Sequence, residues 1–227
     1  MQPYFFPYLG YFQLVAAVDK FVFYDDVNFI KSGWINRNRI NTMGQTRYFT
    51  APLCEASSFK KINQISVKKN DIWRRKMTET IRYSYGKAPQ FKIVNDLLNA
   101  VLFSGITNIS DLAKYSVTSV ANYLGLTTQF VFSSSIYENS ELSGVRRVID
   151  ICIKEMATEY INLPGGRNLY DGRDFSGKGI DLYFVSPCQN RYASFPGEQN
   201  TGLSILDTLM FCDRNSVREM LHTEKSN

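Results

Sequence analysis

The chain has 227 residues, 44% of them apolar and 21% charged, and a formal net charge of +5. That length supports one domain with a substantial core, and so mild a charge does not call for a nucleic-acid partner. No stretch reaches the roughly 18 consecutive apolar residues of a membrane span and no charged-then-apolar leader opens the chain, so a cytoplasmic protein without membrane insertion is expected.

Residue types narrow the chemistry further. Four cysteines (Cys54, Cys152, Cys188, Cys212) stand far apart with no C-x-x-C pair, which argues against a disulfide framework or a zinc site. The single histidine, His222, lies in a polar tail. A two-histidine metal centre is thereby excluded, as is a histidine triad unless the tail folds back. No metal ligand set is expected.

In chain order, the opening MQPYFFPYLGYFQLV crowds aromatics and prolines ahead of a short helix over about 10–17. The apolar run Lys20–Tyr24 reads as a buried strand ending in Asp25-Asp26. Strand, helix and strand within about thirty residues suggest a crossover unit of a parallel sheet, whose ligands sit beyond the strands' carboxyl ends. Asn28 to Asn41 forms a basic, Trp-containing connection, and a hairpin is expected around the turn Asn41–Gly44. Lys61 to Lys68 could add a strand.

The middle is helical. Asp71 is a candidate N-cap for a helix to about Tyr85, with Gly86 and Pro89 beyond. Further helices are expected over 90–103 and 110–124, the last ended by Gly125. Strands follow at 128–132, 159–163 and 180–184, with a helix over 141–157 burying Leu142, Val145, Ile149, Cys152, Ile153 and Met156. Short helices at 203–211 and 216–221 close the chain. The expected fold is α/β: a single domain over 1–227, a parallel or mixed sheet with Rossmann-like crossover units, and a helical insertion over 70–125.

Several residues could carry chemistry. Asp25 and Asp26 could act as general base or bind a cation, or one could cap a turn while the other is solvated. Because successive strand residues point to opposite sides, one of the two should face a crevice. Arg37 and Arg39 share a parity and offer forked donors for phosphate or carboxylate, and Trp34 could cover a sugar or base. Surface ion pairing is the alternative for both arginines. Gly165 and Gly166 would let a backbone approach a ligand closely, or simply make a turn, and Tyr170 follows in the same loop. Loop Ser194–Gly197 is similar, and Ser204 with Asp207 could hold an anion at a helix start or serve as a cap.

Tyr8-Leu9-Gly10-Tyr11 resembles in spacing the His-x-Gly-His of nucleotidyltransferase-like folds, with tyrosine at both histidine positions. A phenol with a pKa of about 10 stays neutral at pH 7 and cannot supply a cation to a triphosphate. The architecture could be shared while the chemistry differs.

Taken together, MQPYFFPYLGYFQL, DKFVFYDDVNFIKSGWINRNRI, YINLPGG and GLSILDTLMF resemble the WbqC-like protein family, from the first residue to about Leu221. The second block is the most specific. In family chains a short apolar strand precedes Met-Gln-Pro; here that strand is either missing, with the start assigned late, or trimmed to Gln2–Phe5. The resemblance implies a transferase of O-antigen (lipopolysaccharide) biosynthesis that moves an acyl or aminoacyl group, such as glycyl, onto the amine of a nucleotide-linked amino sugar. Asp25, Asp26 and Tyr11 would then be catalytic. Gln2, Tyr4, Tyr8, Gly10, Trp34, Arg37, Arg39, Gly165, Gly166 and Tyr170 would bind substrate. ATP with magnesium stays open as a cofactor, and an aminoacyl-tRNA donor would be the one route to a nucleic-acid partner. A non-catalytic sugar-nucleotide binder of the same pathway is the alternative.

Overall fold

The computed structural model describes residues 1–186 and 202–226. Met1 lies against the strand that follows it: its amino group donates to the Val22 carbonyl at 2.8 Å, and Tyr24 N–H donates to the Met1 carbonyl at 2.8 Å. Helix α1 (Leu9–Ala16) and strand β1 (Lys20–Val22) come next. The hairpin is β2 (Arg37–Thr42) with β3 (Gln45–Thr50), in the register Arg39↔Tyr48. Its two turn residues, Met43 and Gly44, both have positive φ (53° and 82°), the left-handed pair that matches strand twist in a tight hairpin. Strands β4 (Leu53–Cys54) and β5 (Ser66–Val67) form a two-residue ladder.

Three helices follow: α2 (Ile72–Tyr85), α3 (Phe91–Leu102) and α4 (Ile109–Leu124). They share one core with the opening, Leu98, Val117 and Leu124 being buried in the same cluster as Phe5, Phe21 and Leu206. Strand β6 (Gln129–Val131) returns parallel to β1, with Phe21 opposite Phe130. Then come α5 (Gly144–Lys154), β7 (Glu159–Asn162), α6 (Gly172–Ser176) and β8 (Asp181–Ser186). Helices α7 (Ile205–Phe211) and α8 (Arg214–Met220) and strand β9 (Glu224–Ser226) complete the described chain. Strands β7, β8 and β9 form a three-stranded sheet, β8 parallel to β7 and antiparallel to β9.

The class is α/β, but the strands gather into small sheets rather than a Rossmann-like series of crossovers. Chemistry at the strand ends explains this. Pro3 has no N–H to give a ladder and Phe6 takes a positive φ (42°), so the strand Gln2–Phe5 does not form and, of the opening, Met1 alone pairs beside β1. The expected strand 61–68 is split because the Gln64 side chain accepts from Lys61 N–H at 3.0 Å and winds Ile62–Gln64 into a 3-10 turn. Helix α5 is shorter than expected. Ile149 and Cys152 are buried, while Ile153 and Met156 are exposed and Arg147 turns inward. Asp71 makes no capping bond, its carboxylate holding Arg74 at 3.1 Å instead. Cys188 and Ser194–Gly197 lie outside the described residues. Among the described residues, no helix is long and apolar enough to cross a membrane.

Helix α4 is buried along most of its length, and its start is well made. Asn108 accepts from the N–H groups of Ser110 and Asp111 and donates to the Asn63 carbonyl at 2.8 Å. Asn108→Ala is expected to lower stability by about 1–2 kcal/mol in a urea melt, the usual cost of a lost N-cap.

Candidate functional site

Beyond Val22 the chain keeps running beside β6: Phe23 N–H donates to Val131 O and Ser134 N–H to Phe23 O, both at 3.0 Å. Extended backbone sends the next two side chains to opposite sides. Asp25 turns to α4, where one carboxylate oxygen accepts from Lys114 Nζ at 2.6 Å and Ser110 Oγ at 3.0 Å. Its other oxygen accepts from Ser133 Oγ at 2.7 Å and Ser134 N–H at 3.3 Å. Asp26 turns to α5, accepting from Arg147 at 2.5 Å and from the Ser134 hydroxyl. Both acids are buried, at 1% and 5% exposure, so neither is the solvated member of the doublet.

Each acid meets a buried base. Arg147 also donates to Asn139 at 2.9 Å and sits 4.9 Å over the Tyr24 ring. Burial works against ionisation of Asp26, but the Arg147 guanidinium and the Ser134 hydroxyl outweigh it and hold the carboxyl below its ordinary value. Burial likewise opposes the charge on Arg147, and Asp26 and Tyr24 more than restore it. Lys114 and Arg147 are not read from the sequence as site residues. For Lys114 a signal exists: it stands at helical spacing with Ser110, Val117 and Ala121 on the buried face of α4. Arg147 lies off the Val145–Ile149–Cys152 stripe, and nothing local marks it.

The opening segment forms a second group. Tyr11 is fully buried, its hydroxyl donating to the Gln2 carbonyl at 2.9 Å and its ring 5.6 Å from that of Tyr4. Burial raises the pKa of all three tyrosines, and Tyr8, with Tyr4 beside it, is pushed up to about 12. All three phenols are therefore neutral at pH 7. Gly10 is required here, since a Cβ would come within 2.7 Å of the Tyr8 ring. Tyr8 bridges to Ser204, whose hydroxyl donates to the Phe6 carbonyl at 2.7 Å and caps α7 through Leu206 N–H.

A third group lies on one face of the hairpin. Trp34 and Tyr48 are stacked at 6.3 Å, Arg37 lies 4.4 Å over Tyr48, and Arg39 lies 5.1 Å over Trp34. Arg37 donates to the backbone carbonyls of Gly33 (3.2 Å) and Ser32, and Arg39 to that of Gly202 at 3.0 Å. Among the described residues, the buried Arg39 Nε–H has no partner, and neither guanidinium has a carboxylate partner.

The opening and the hairpin group meet along a seam, where Phe5 N–H donates to the Trp34 carbonyl at 3.1 Å and Ser204 N–H to that of Arg39 at 2.8 Å. Among the described residues, no hydrogen bond or ion pair joins this seam to the acid doublet. Tyr170 belongs on the acid side: its ring meets Tyr160 and Phe175 edge-on, and its phenol acts on Tyr24 beside Arg147. Gly166 is buried against Asn162 and Tyr170, where a Cβ would come within 2.8 Å of the Asn162 amide. Its N–H is bonded to the Leu163 carbonyl at 2.9 Å, while Gly165 faces open space.

Other candidates resolve as structural. Arg74 is a buried clamp on the carbonyls of Lys69, Asn70, Leu102 and Ile106, which removes it from any nucleic-acid surface. Among the described residues, no cluster of three or more His, Cys, Asp or Glu could hold a metal ion.

Comparison with known proteins supplies the relationship. The WbqC-like protein family matches residues 2–219, and the chain belongs to that family. It is 31% identical over 212 residues to a Mycobacterium tuberculosis protein, "Uncharacterized protein Rv1507c", covering 92% of this chain and 90% of that one. No solved structure matches.

Two measurements check the acid–base reading. Lys114→Met should cost about 3–5 kcal/mol in a urea melt, because Asp25 would be left as an uncompensated buried charge. Adding Asp25→Asn should recover most of that loss. Asp26 has a depressed pKa, so its contribution is full above the ordinary carboxylate pKa of about 3.9 and is lost as pH falls through the folded value. The wild type should therefore lose stability more steeply than Asp26→Asn below about pH 4.

Proposed function

We propose that this WbqC-like protein binds a nucleotide-linked amino sugar and transfers an acyl or aminoacyl group, such as glycyl, to its amine in surface-polysaccharide (O-antigen) biosynthesis. The observation that carries the reading is the stack Arg37–Tyr48–Trp34–Arg39. Two guanidinium groups fixed on aromatic faces, with no acid partner among the described residues, suit a diphosphate beside a flat base or sugar. The unpartnered Arg39 Nε–H is a donor already desolvated, so a phosphate oxygen reaching it would meet little competing water.

In this reading Tyr4 and Tyr8 wall the sugar, and Tyr11 with the Gln2 carbonyl fixes that wall from behind. Asp26 is held ionised with both carboxylate oxygens taken by Ser134 and Arg147, so it positions α5 beside the site rather than removing the amine's proton. Asp25, with four donors on its carboxylate, holds the platform on which Asp26 stands. The amine nitrogen would attack the acyl carbon, forming the new N–C bond, while the bond to the donor's leaving group breaks with its electron pair. The amine proton ends on that group. Gly165, Gly166 and Tyr170 would line the acyl side.

A non-catalytic sugar-nucleotide binder is the second reading, favoured by one observation: every carboxylate oxygen of the doublet already accepts from a protein donor. A mass-spectrometric screen of nucleotide-linked amino sugars against amino acids with ATP and magnesium, acyl-CoA and aminoacyl-tRNA separates the two. A product heavier by one acyl group is expected, and tight calorimetric binding with no product from any donor would favour the binder. In calorimetry, Arg37→Ala and Arg39→Ala should each weaken sugar-nucleotide binding roughly tenfold or more, the worth of a hydrogen bond to a charged group.

A further inference from the structure

The hairpin has a second face. The register pairs Thr42 with Gln45 and Ile40 with Arg47 on the side opposite Arg37, Arg39 and Tyr48. There the hairpin and α2 enclose an open groove of about 870 Å³. The helical wall is the stripe Lys76, Glu79, Thr80 and Tyr83, at the i, i+3, i+4, i+7 spacing that puts side chains in one line. The opposite wall is Gln45 and Arg47.

Charge and shape in the groove select a ligand class. Glu79 is the one acid among its lining residues, and Arg82 holds it at 2.6 Å. Arg47 and Lys76 have no carboxylate partner among the described residues, so the groove keeps two free positive charges. Tyr83, 70% exposed, lines the groove, and its hydroxyl donates to the Met43 sulfur at 3.1 Å. Exposed Arg75, Lys87, Lys68 and Lys69 lie along the same helix and its approach. A linear groove with cations along the wall and an open aromatic platform fits a phosphodiester backbone with an unstacked base.

We propose that this groove binds a single-stranded RNA segment, its phosphates on Arg47 and Lys76 and one base on Tyr83. The site is independent of the sugar-nucleotide reading, because its residues occupy the other face of the hairpin. It also separates the basic residues that can reach such a strand from Arg74, which cannot.

The test is fluorescence anisotropy of a labelled oligouridylate with the full chain, between about 50 and about 200 mM KCl. Two phosphate contacts on a single strand predict a slope of about −1.4 in log affinity against log salt. Arg47→Glu with Lys76→Glu should weaken binding at least about tenfold at the lower salt. Tyr83→Ala should weaken it roughly tenfold, and Tyr83→Phe should not. All three side chains are exposed, and circular dichroism would verify that the variants fold. Absence of binding, a salt-independent affinity, or an affinity unchanged in the charge-reversal variant would overturn the proposal. So would competition by uridine monophosphate as strong as by the strand, or loss of binding on Arg37→Ala alone.

Discussion

Two buried ion pairs, side by side on consecutive residues, fix the centre of this protein. Asp25 reaches Lys114 on α4 and Asp26 reaches Arg147 on α5, so one extended dipeptide anchors two helices that are distant in sequence. Such pairs add little net stability over apolar packing, but they tolerate no loss of a single member. Their value is positional. Ser110, Ser133 and Ser134 supply the remaining donors, and a shifted helix would leave a buried charge unsatisfied.

From that centre the functional surfaces divide. The acid side carries Tyr24, Tyr160 and Tyr170 and the Gly165–Gly166 turn, with its charges internally compensated. The hairpin side carries Arg37 and Arg39, which have no ion-pair partner among the described residues. The aromatic opening runs between the two, pairing Met1 with β1 and Phe5 with Trp34, and Tyr8 meets Ser204 at the start of α7. Tyr4, Tyr8 and Tyr11, neutral at pH 7 and held further from ionisation by burial, suit this place, where a charged wall would need partners that are already engaged.

Much of this is legible in the chain. Helices α2, α3 and α4 follow apolar periodicity, and the hairpin turn is written in Asn41–Gly44. The arginine parity at 37 and 39 places both side chains on one face, as it should in a strand. Other features depend on partners far away in sequence. Nothing adjacent to Asp25 foretells Lys114, 89 residues on, and Arg147 turns inward only because Asp26 is there to receive it. The family resemblance allows a strand at Gln2–Phe5, yet Pro3 has no N–H to give and Met1 alone pairs beside β1. Likewise Ile153 fits the helical period of α5 but is exposed, and Met156 lies past the helix end with a positive φ (52°).

The central claim is that the hairpin arginines are free to take an anion while the doublet's cations are locked. Arginine side-chain N–H resonances measured by NMR during titration with a nucleotide-linked amino sugar test it most directly. Saturable shifts at the Nε–H groups of Arg39 and Arg37, with Arg147 unmoved, are the predicted result. A shift confined to Arg147, with none at Arg37 or Arg39, would contradict it.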